Sequence, residues 1–129
     1  MALMSIDHIV IRVKDLDEGI AAYRDRIGLT LERVGENEAL GIKQAFFPLH
    51  DGGYVEVVAP LDAESAVGRA LESRGEGVHS IVFSADDVAA TAAQMKENGV
   101  ALIGEGAPQV FVHPKSSHGV LLQLTETKR

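Results

Sequence analysis

Ile6-Asp7-His8-Ile9-Val10-Ile11-Arg12-Val13 is the stretch that decides the fold of this chain. It predicts a short β-strand that runs directly into a helix. Side chains alternate between the two faces of a strand, so Ile9, Ile11 and Val13 form one wholly aliphatic face. That face must pack against other apolar groups, and the helix that follows is the nearest candidate.

The opposite face of this strand carries His8 and Arg12 among apolar neighbours. A histidine in such a position is either a buried structural residue with a local partner or part of a binding site. The strand alone favours the structural alternative, and the rest of the chain shifts the balance towards a site.

Length and composition limit the kinds of protein that the chain can be. The 129 residues suffice for one domain, and the 46% hydrophobic and 24% charged content is ordinary for a globular protein. The net charge of −7 argues against a nucleic-acid partner, because phosphate backbones require a basic surface.

No apolar run is long enough to span a bilayer, so no membrane partner is expected. The absence of cysteine excludes disulfides and thiolate sites and is consistent with a cytoplasmic protein.

A helix is predicted to follow the first strand. Asp15 is a suitable N-cap, and Glu18 three residues later completes a capping-box pattern. Gly28 is a plausible end of the helix. Apolar residues recur at helical spacing between these limits: Leu16, Ile20, Tyr23 and Ile27.

The second half of the chain repeats the first at a shift of 72 positions, which places Ile9 on Ile81 and Asp15 on Asp87. A connecting helix over about 62–75 separates the halves, and Asp86 or Asp87 caps the second module's helix. The remaining strands are expected over 29–34, 42–49, 54–59, 78–85, 100–103, 109–113 and 119–125.

Each half therefore follows a β-α-β-β-β order, with module 1 over about 5–60 and module 2 over about 77–126. A repeat of this size buries too little surface alone, so the two should share a core. The fold expected is a single α/β (α+β) domain over 1–129, with a curved sheet around a cleft. A small-molecule ligand would lie in that cleft. A homodimer is also expected, because each module has a helix for only one face of its sheet.

Several stretches that together cover nearly the whole chain resemble a known superfamily. They are Ile6-Asp7-His8-Ile9, Tyr23-Arg24-Asp25 through Gly28-Leu29, Val55-Glu56-Val57-Val58-Ala59-Pro60-Leu61, Gly75-Glu76-Gly77-Val78-His79, and Phe111-Val112-His113-Pro114-Lys115-Ser116 with Gly119-Val120-Leu121-Leu122. The pattern resembles the vicinal oxygen chelate superfamily, which includes the glyoxalases, bleomycin-resistance proteins and extradiol dioxygenases. Within it the chain is most similar to the methylmalonyl-CoA epimerases.

The resemblance implies a divalent metal (Co, Mn, Ni or Zn) held by the first and last strands of each module. The matching positions are His8, Glu56, Ser80 and Gln123. The repeat supports this set, because His8 and Ser80 are repeat mates, as are Glu56 and Gln123. A serine hydroxyl is a weak ligand, which leaves His8, Glu56 and Gln123 as the expected metal ligands, and the resulting affinity should be lower than that of a site with two histidines.

The chain departs from the epimerase pattern at residues that carry chemistry. Ser80 stands where the epimerases have a metal-binding histidine. Gln123 stands where they have a glutamate that is both ligand and base, and Gln44 where they have a second carboxylate base. A neutral amide cannot take a proton from carbon. The predicted catalytic set is therefore Glu56, as ligand, base or both, with Gln44 and Gln123 assisting.

The predicted substrate-binding residues surround this set. Arg12 could hold a substrate carboxylate with two hydrogen bonds, although a solvated arginine is an equal alternative. Ser80 and Ser84 face the expected cleft and could make room for a larger ligand. Lys115 and Ser116 belong to a loop that resembles the epimerase loop near the acyl-CoA end of the substrate. His50, His79 and His118 receive no role, and His79 is expected on the opposite face from Ser80.

Two functions remain open from the sequence. The first is an isomerase or lyase that acts on a small carbonyl or carboxylate compound, or on an acyl-CoA, through an enolate stabilised by a metal or by donors in the cleft. The second is a metal-free protein that binds or sequesters a small molecule, as in the bleomycin-resistance branch. The altered residues favour the second function, and the epimerase-like loops favour the first.

Overall fold

The computed structural model describes residues 2–107 and 109–127. Within them the chain alternates short strands with three α-helices. In chain order the elements are β1 (Leu3–Arg12), α1 (Leu16–Ile20), β2 (Arg33–Asn37), β3 (Ile42–Pro48), β4 (Tyr54–Pro60), α2 (Ala66–Arg74), β5 (Gly77–Ala85), α3 (Val88–Glu97), β6 (Leu102–Ile103), β7 (Val110–Val112) and β8 (Leu122–Glu126). This mixed fold confirms the predicted α/β (α+β) class. None of the described helices is long and apolar enough to cross a membrane.

Contacts along the chain group into two units. One unit is residues 9–79, and the other combines the residues up to position 8 with those from position 80 onward. Strand β1 contributes its last four residues to the first unit and its earlier residues to the second. In the first unit the strand order is β2-β3-β4-β1, and in the second it is β1-β5-β8-β7-β6.

The helix after β1 begins as the sequence predicts. The side chain of Asp15 accepts a hydrogen bond from the backbone N–H of Glu18, so it caps the first turn. After α1 the chain continues as a π-helix over Ala21–Ile27 and ends at Gly28, which adopts the left-handed conformation with φ of 100°. The left-handed end confirms the predicted stop, because glycine has no Cβ to oppose that conformation.

The core of the 9–79 unit forms where α1 packs on β3 and β4. Its buried residues are Ile20, Ala45, Phe47 and Val57. Ile11 and Val13 pack against this cluster, so the aliphatic face of β1 does pack as the alternation predicted. The other face of these strands is therefore the face that carries Arg12, Gln44 and Glu56.

Strand β2 differs from its predicted position over 29–34. Its pairing with β3 begins at Arg33 and continues to Asn37, opposite Ile42. Leu29 and Leu31 instead pack against the core without belonging to a strand. The alternating apolar residues are typical of a strand in the sequence. In the structure they belong to an irregular connection that buries their side chains, and pairing with β3 starts after them.

The connecting helix is shorter than the predicted 62–75. Asp62 accepts hydrogen bonds from the backbone N–H groups of Glu64 and Ser65, which forms a turn before the helix. Ser65 is the N-cap, with its hydroxyl oxygen accepting from Gly68 N at 3.0 Å. The side-chain hydrogen bonds of Asp62 and Ser65 thus favour a turn before the helix, and the helix begins after Ser65 instead of at the predicted position 62.

The second unit repeats these features with shorter strands. Asp87 caps α3 by accepting from Ala90 N, as one of the two predicted caps. Buried Ala92, Val110 and Leu124 form its core, with Phe83 packed against them. Strand β6 has only two residues, and the predicted hairpin loop before β8 contains a 3₁₀ turn over Pro114–Ser116.

Candidate functional site

Glu56 is the buried carboxylate of the 9–79 unit. It lies in β4 and is 7% exposed. The side-chain amide of Gln44 in β3 donates to Oε2 of Glu56 over 2.8 Å. Because Gln44 pairs with Val58 and Phe46 with Glu56 in the β3–β4 register, the two polar side chains share one face of the hairpin. The structure therefore brings together two of the three residues predicted to be catalytic.

Arg12 is also buried, with 6% of its surface exposed. Its Nε donates to the carbonyl of Gly75 over 2.8 Å, and its Nη1 donates to the carbonyl of Val78 over 2.9 Å. The guanidinium thus fixes the chain that leads from α2 into β5. A solvated Arg12 was one of the two alternatives from the sequence, and its burial rules that alternative out.

His79 lies beside Arg12, although the sequence reasoning gave it no role and placed it on the opposite face. Its Nδ1 is 3.5 Å from Nη1 of Arg12. Burial, followed by the positive charges of Arg12 and Arg74, lowers the pKa of His79 to about 4. Glu56 opposes this shift, so its carboxylate lies within electrostatic range of the ring. At neutral pH the ring is therefore uncharged.

Strand alternation missed this placement because it describes the direction of Cβ and not the reach of a long side chain. Arg12 reaches across to the first residues of β5, where Gly77 has a φ of 151°. The glycines Gly75 and Gly77 on either side of Glu76 were the available signal, since they allow an irregular backbone at the start of the strand.

His8 belongs to the other unit and has a carboxylate neighbour. Its Nδ1 lies 2.8 Å from Oδ2 of Asp7. An ionised carboxylate can only accept, so Nδ1 carries a proton in this contact. Histidines that bind a metal through one ring nitrogen commonly donate the N–H of the other ring nitrogen to a carboxylate, as Nδ1 of His8 does to Asp7. Asp7 was not singled out from the sequence.

The other predicted polar residues of this unit lie on neighbouring strands. Ser80 and Ser84 are each 3% exposed, and the hydroxyl groups of Ser84 and Ser5 are 2.7 Å apart. Gln123 in β8 is half-buried and is in register with Val82 of β5. The Ser84 hydroxyl thus has a partner within the protein, and its role in substrate binding stays a prediction.

Lys115 and Ser116 lie in the 3₁₀ turn before β8. The hydroxyl oxygen of Ser116 accepts from the backbone N–H of Ala101 over 2.9 Å, and the backbone N–H of Lys115 donates to His113 Nδ1. The side chain of Lys115 is exposed. In the structure Ser116 therefore shapes the loop, and the role of both residues in substrate binding stays a prediction.

The donors expected to hold a divalent metal do not make a strong set. Within residues 2–107 and 109–127, no group of three histidine, cysteine, aspartate or glutamate side chains is arranged to bind a metal ion. The predicted ligands supply one imidazole, one carboxylate and one amide oxygen, and the fourth position is Ser80. Such donors do not fit a tightly bound transition metal.

Comparison with known protein families gives one match over nearly the whole chain. Residues 6–127 match the family described as "Glyoxalase-like domain". Among characterised proteins, the ethylmalonyl-CoA/methylmalonyl-CoA epimerase of Cereibacter sphaeroides is 28% identical over 130 residues, which cover 94% of this chain and 96% of the relative.

Solved structures give the same similarity. A variant of the Streptomyces coelicolor methylmalonyl-CoA epimerase, in complex with 2-nitronate-propionyl-CoA, is 37% identical with a TM-score of 0.86. The match covers 98% of this chain and 100% of that one. A methylmalonyl-CoA epimerase in complex with methylmalonyl-CoA and NH4+ is likewise 37% identical, with a TM-score of 0.85 and coverage of 98% and 96%.

Proposed function

The chain belongs to the glyoxalase-like domain family, and we propose that it is an isomerase or lyase that removes a proton next to the thioester carbonyl of an acyl-CoA. The observation that carries the proposal is the buried carboxylate of Glu56, held by the amide of Gln44. The similarity to epimerases solved with acyl-CoA compounds supports the substrate class. A homodimer belongs to the same proposal.

Glu56 would act as the base. Burial removes competing water from the carboxylate, and the Gln44 hydrogen bond fixes its orientation, so less reorganisation is needed when the proton is transferred. The proton leaves the carbon next to the carbonyl and binds the Glu56 carboxylate, while the bonding electrons form the enolate of the thioester. The proton on the carboxylate is then replaced by one from solvent, and transfer of the solvent-derived proton to the enolate carbon completes an exchange.

A single carboxylate predicts a particular stereochemical result. Gln44 and Gln123 are amides, which cannot accept a proton from carbon. Without a second acid or base on the other face, Glu56 delivers the solvent-derived proton to the same face from which it removed the first one. We therefore expect exchange of the substrate proton with solvent to be faster than inversion of the carbon.

The test is deuterium incorporation into methylmalonyl-CoA, ethylmalonyl-CoA and propionyl-CoA in D₂O, followed by mass spectrometry, with inversion followed by chiral analysis. Glu56→Gln should slow exchange at least 100-fold. Glu36→Gln, which removes an exposed carboxylate of β2, is the matched control and should exchange like the wild type. Exchange that is unaffected by Glu56→Gln would refute Glu56 as the base.

A metal-free binding protein is the second candidate. The Gln44–Glu56 hydrogen bond favours it, because a cross-strand pair of this kind also occurs where a buried carboxylate is only structural. Acyl-CoA binding by the wild type without deuterium incorporation into any of the three compounds would support this function instead.

A further inference from the structure

Arg12 carries a buried positive charge whose hydrogen-bond acceptors are all neutral. Its Nε and Nη1 bind the carbonyls of Gly75 and Val78. Within the part of the chain that the structure describes, no carboxylate forms an ion pair with it. Carbonyl dipoles compensate only part of the cost of burying a charge, so a buried cation normally has an anionic partner.

A second positive charge, that of Arg74, acts on Arg12. Burial and the charge of Arg74 lower the pKa of Arg12. His79, at 3.5 Å, is uncharged at neutral pH, since its pKa is about 4. The described side chain within hydrogen-bond distance of Arg12 therefore carries no negative charge.

Two N–H donors beside this charge remain for a ligand. The Nη2 group of Arg12 makes no hydrogen bond within the described residues, whereas Nε and Nη1 do. Arginine can only donate, so Nδ1 of His79 faces it as an acceptor and the ring proton lies on Nε2. Arg12 and His79 thus offer an N–H group each, and a carboxylate has oxygens for both.

We propose that Arg12 and His79 bind a carboxylate on the acyl part of the substrate and so select acyl-CoA compounds that carry one. This inference rests on the proposed function. Glu56 lies on β4, which neighbours the β1 strand that carries Arg12, and both side chains are on the same face; a substrate held by its carboxylate would therefore place the adjacent carbon near the base. Arg12 would then act as the specificity-determining residue of the reaction. Its hydrogen bonds to the carbonyls of Gly75 and Val78 would also keep His79 in place.

Binding can be measured without any turnover. Malonate and its uncharged diamide, malonamide, form a matched pair of probes for titration calorimetry and thermal shift. Malonate should bind and stabilise the wild type, and malonamide should not. The wild type must show this difference for the inference to stand, whatever the variants do. Coenzyme A and inorganic phosphate serve as further probes, and a response to them that matches the malonate response would assign the site to phosphate and overturn the inference.

Variants identify the residue responsible. Arg12→Gln should weaken malonate binding at least tenfold, and Arg12→Lys should lie between it and the wild type, because lysine keeps the charge but loses the planar set of donors. Arg33→Gln is the matched control, since Arg33 is exposed and stacks on Phe46 at 3.8 Å. Circular dichroism confirms folding of each variant. Unchanged malonate binding in folded Arg12→Gln would overturn the inference.

Failure of this inference can be told apart from failure of the proposed function. Glu56→Gln should lose deuterium exchange but keep malonate binding. Exchange that depends on Glu56 but is equally fast for methylmalonyl-CoA and propionyl-CoA would refute only the carboxylate site. Malonate binding by the wild type without exchange of any acyl-CoA would refute only the proposed function.

Discussion

The Nε2 group of Gln44 donates to Oε2 of Glu56 across 2.8 Å, between two strands of one hairpin. A neutral amide in this position lets a buried carboxylate keep a hydrogen bond without a second charge beside it. The identity of residue 44 therefore decides whether this face of the hairpin holds one negative charge or two.

Gln44→Glu should destabilise the protein at alkaline pH. Two carboxylates at hydrogen-bond distance cannot both ionise without repulsion, whereas one shared proton between them removes it. We expect the variant to lose about 1–3 kcal/mol of unfolding free energy at pH 8 relative to the wild type. At pH 5 most of that loss should be regained. Urea unfolding at the two pH values measures both differences.

The matched control for this substitution is Gln94→Glu on the exposed side of α3. It adds the same charge without a buried carboxylate beside it, so its stability should change by less than about 0.5 kcal/mol at either pH. If Gln44→Glu and Gln94→Glu behave alike, then residue 44 does not hold Glu56 in solution as it does in the structure.

His79 should make the protein less stable as the pH falls from 6.5 towards 4. Its pKa in the folded chain, about 4, lies below the ordinary 6.5, so the unfolded chain binds the proton first. The stabilisation is complete above pH 6.5 and is lost progressively down to about pH 4. The ring is partly exposed, and solvent screening reduces the effect to about 1 kcal/mol.

The measurement is unfolding free energy against pH for the wild type and for His79→Asn, which has no titrating ring. The variant should show a flatter profile between pH 6.5 and 4. His118→Asn is the control, because His118 lies in an exposed turn with a φ of 57°, which asparagine tolerates. Parallel profiles for the wild type and His79→Asn would contradict the neutral, buried ring.

The fold was largely predictable because its signals are local or repeat themselves. Asp15 and Asp87 occupy equivalent positions in the two halves, and each caps a helix in the structure. The boundaries that failed depend on tertiary pairing. Strand β2 begins where β3 provides a partner, and α2 begins at the Ser65 cap, and neither choice is visible from hydrophobic periodicity alone.

The site was predictable in composition but only partly in arrangement. The Gln44–Glu56 pair follows from two strands joined by a tight turn, so alternation places both side chains correctly. The Arg12–His79 contact does not, because it depends on a long side chain reaching an irregular segment 67 residues away in sequence. Long-range contacts of this kind need the packed structure, since sequence spacing carries no information about them.

Ser80→His should strengthen metal binding. Ser80 and His8 lie in the same unit on adjacent strands, β5 and β1. Replacing a hydroxyl by an imidazole should raise the affinity for Co²⁺ or Zn²⁺ at least tenfold over the weak binding expected of the wild type. Titration followed by the Co²⁺ absorption spectrum measures the affinity and reports the ligand geometry.

The control for Ser80→His is the double variant with His8→Ala, which should return the affinity to the wild-type level or below it. Equal affinity in Ser80→His and in the double variant would show that the new imidazole binds metal without His8. Tight, stoichiometric metal in the wild type that His8→Ala abolishes would show that His8, Glu56 and Gln123 are a better donor set than their chemistry suggests.

Gly68→Ala should destabilise the protein by about 2 kcal/mol or more, because a Cβ at this position would lie 2.6 Å from the carbonyl oxygen of Asp62 and 2.8 Å from that of Ala63. Backbone atoms cannot move aside as a flexible side chain can, so α2 would have to shift. That helix leads to the carbonyl of Gly75, to which Arg12 donates, and the shift should therefore also weaken malonate binding.

Ser73→Ala, an exposed substitution in the same helix, should leave both stability and binding nearly unchanged. Urea unfolding and malonate titration measure the two effects. A loss of stability without a loss of malonate affinity would show that the position of α2 does not control the position of Arg12.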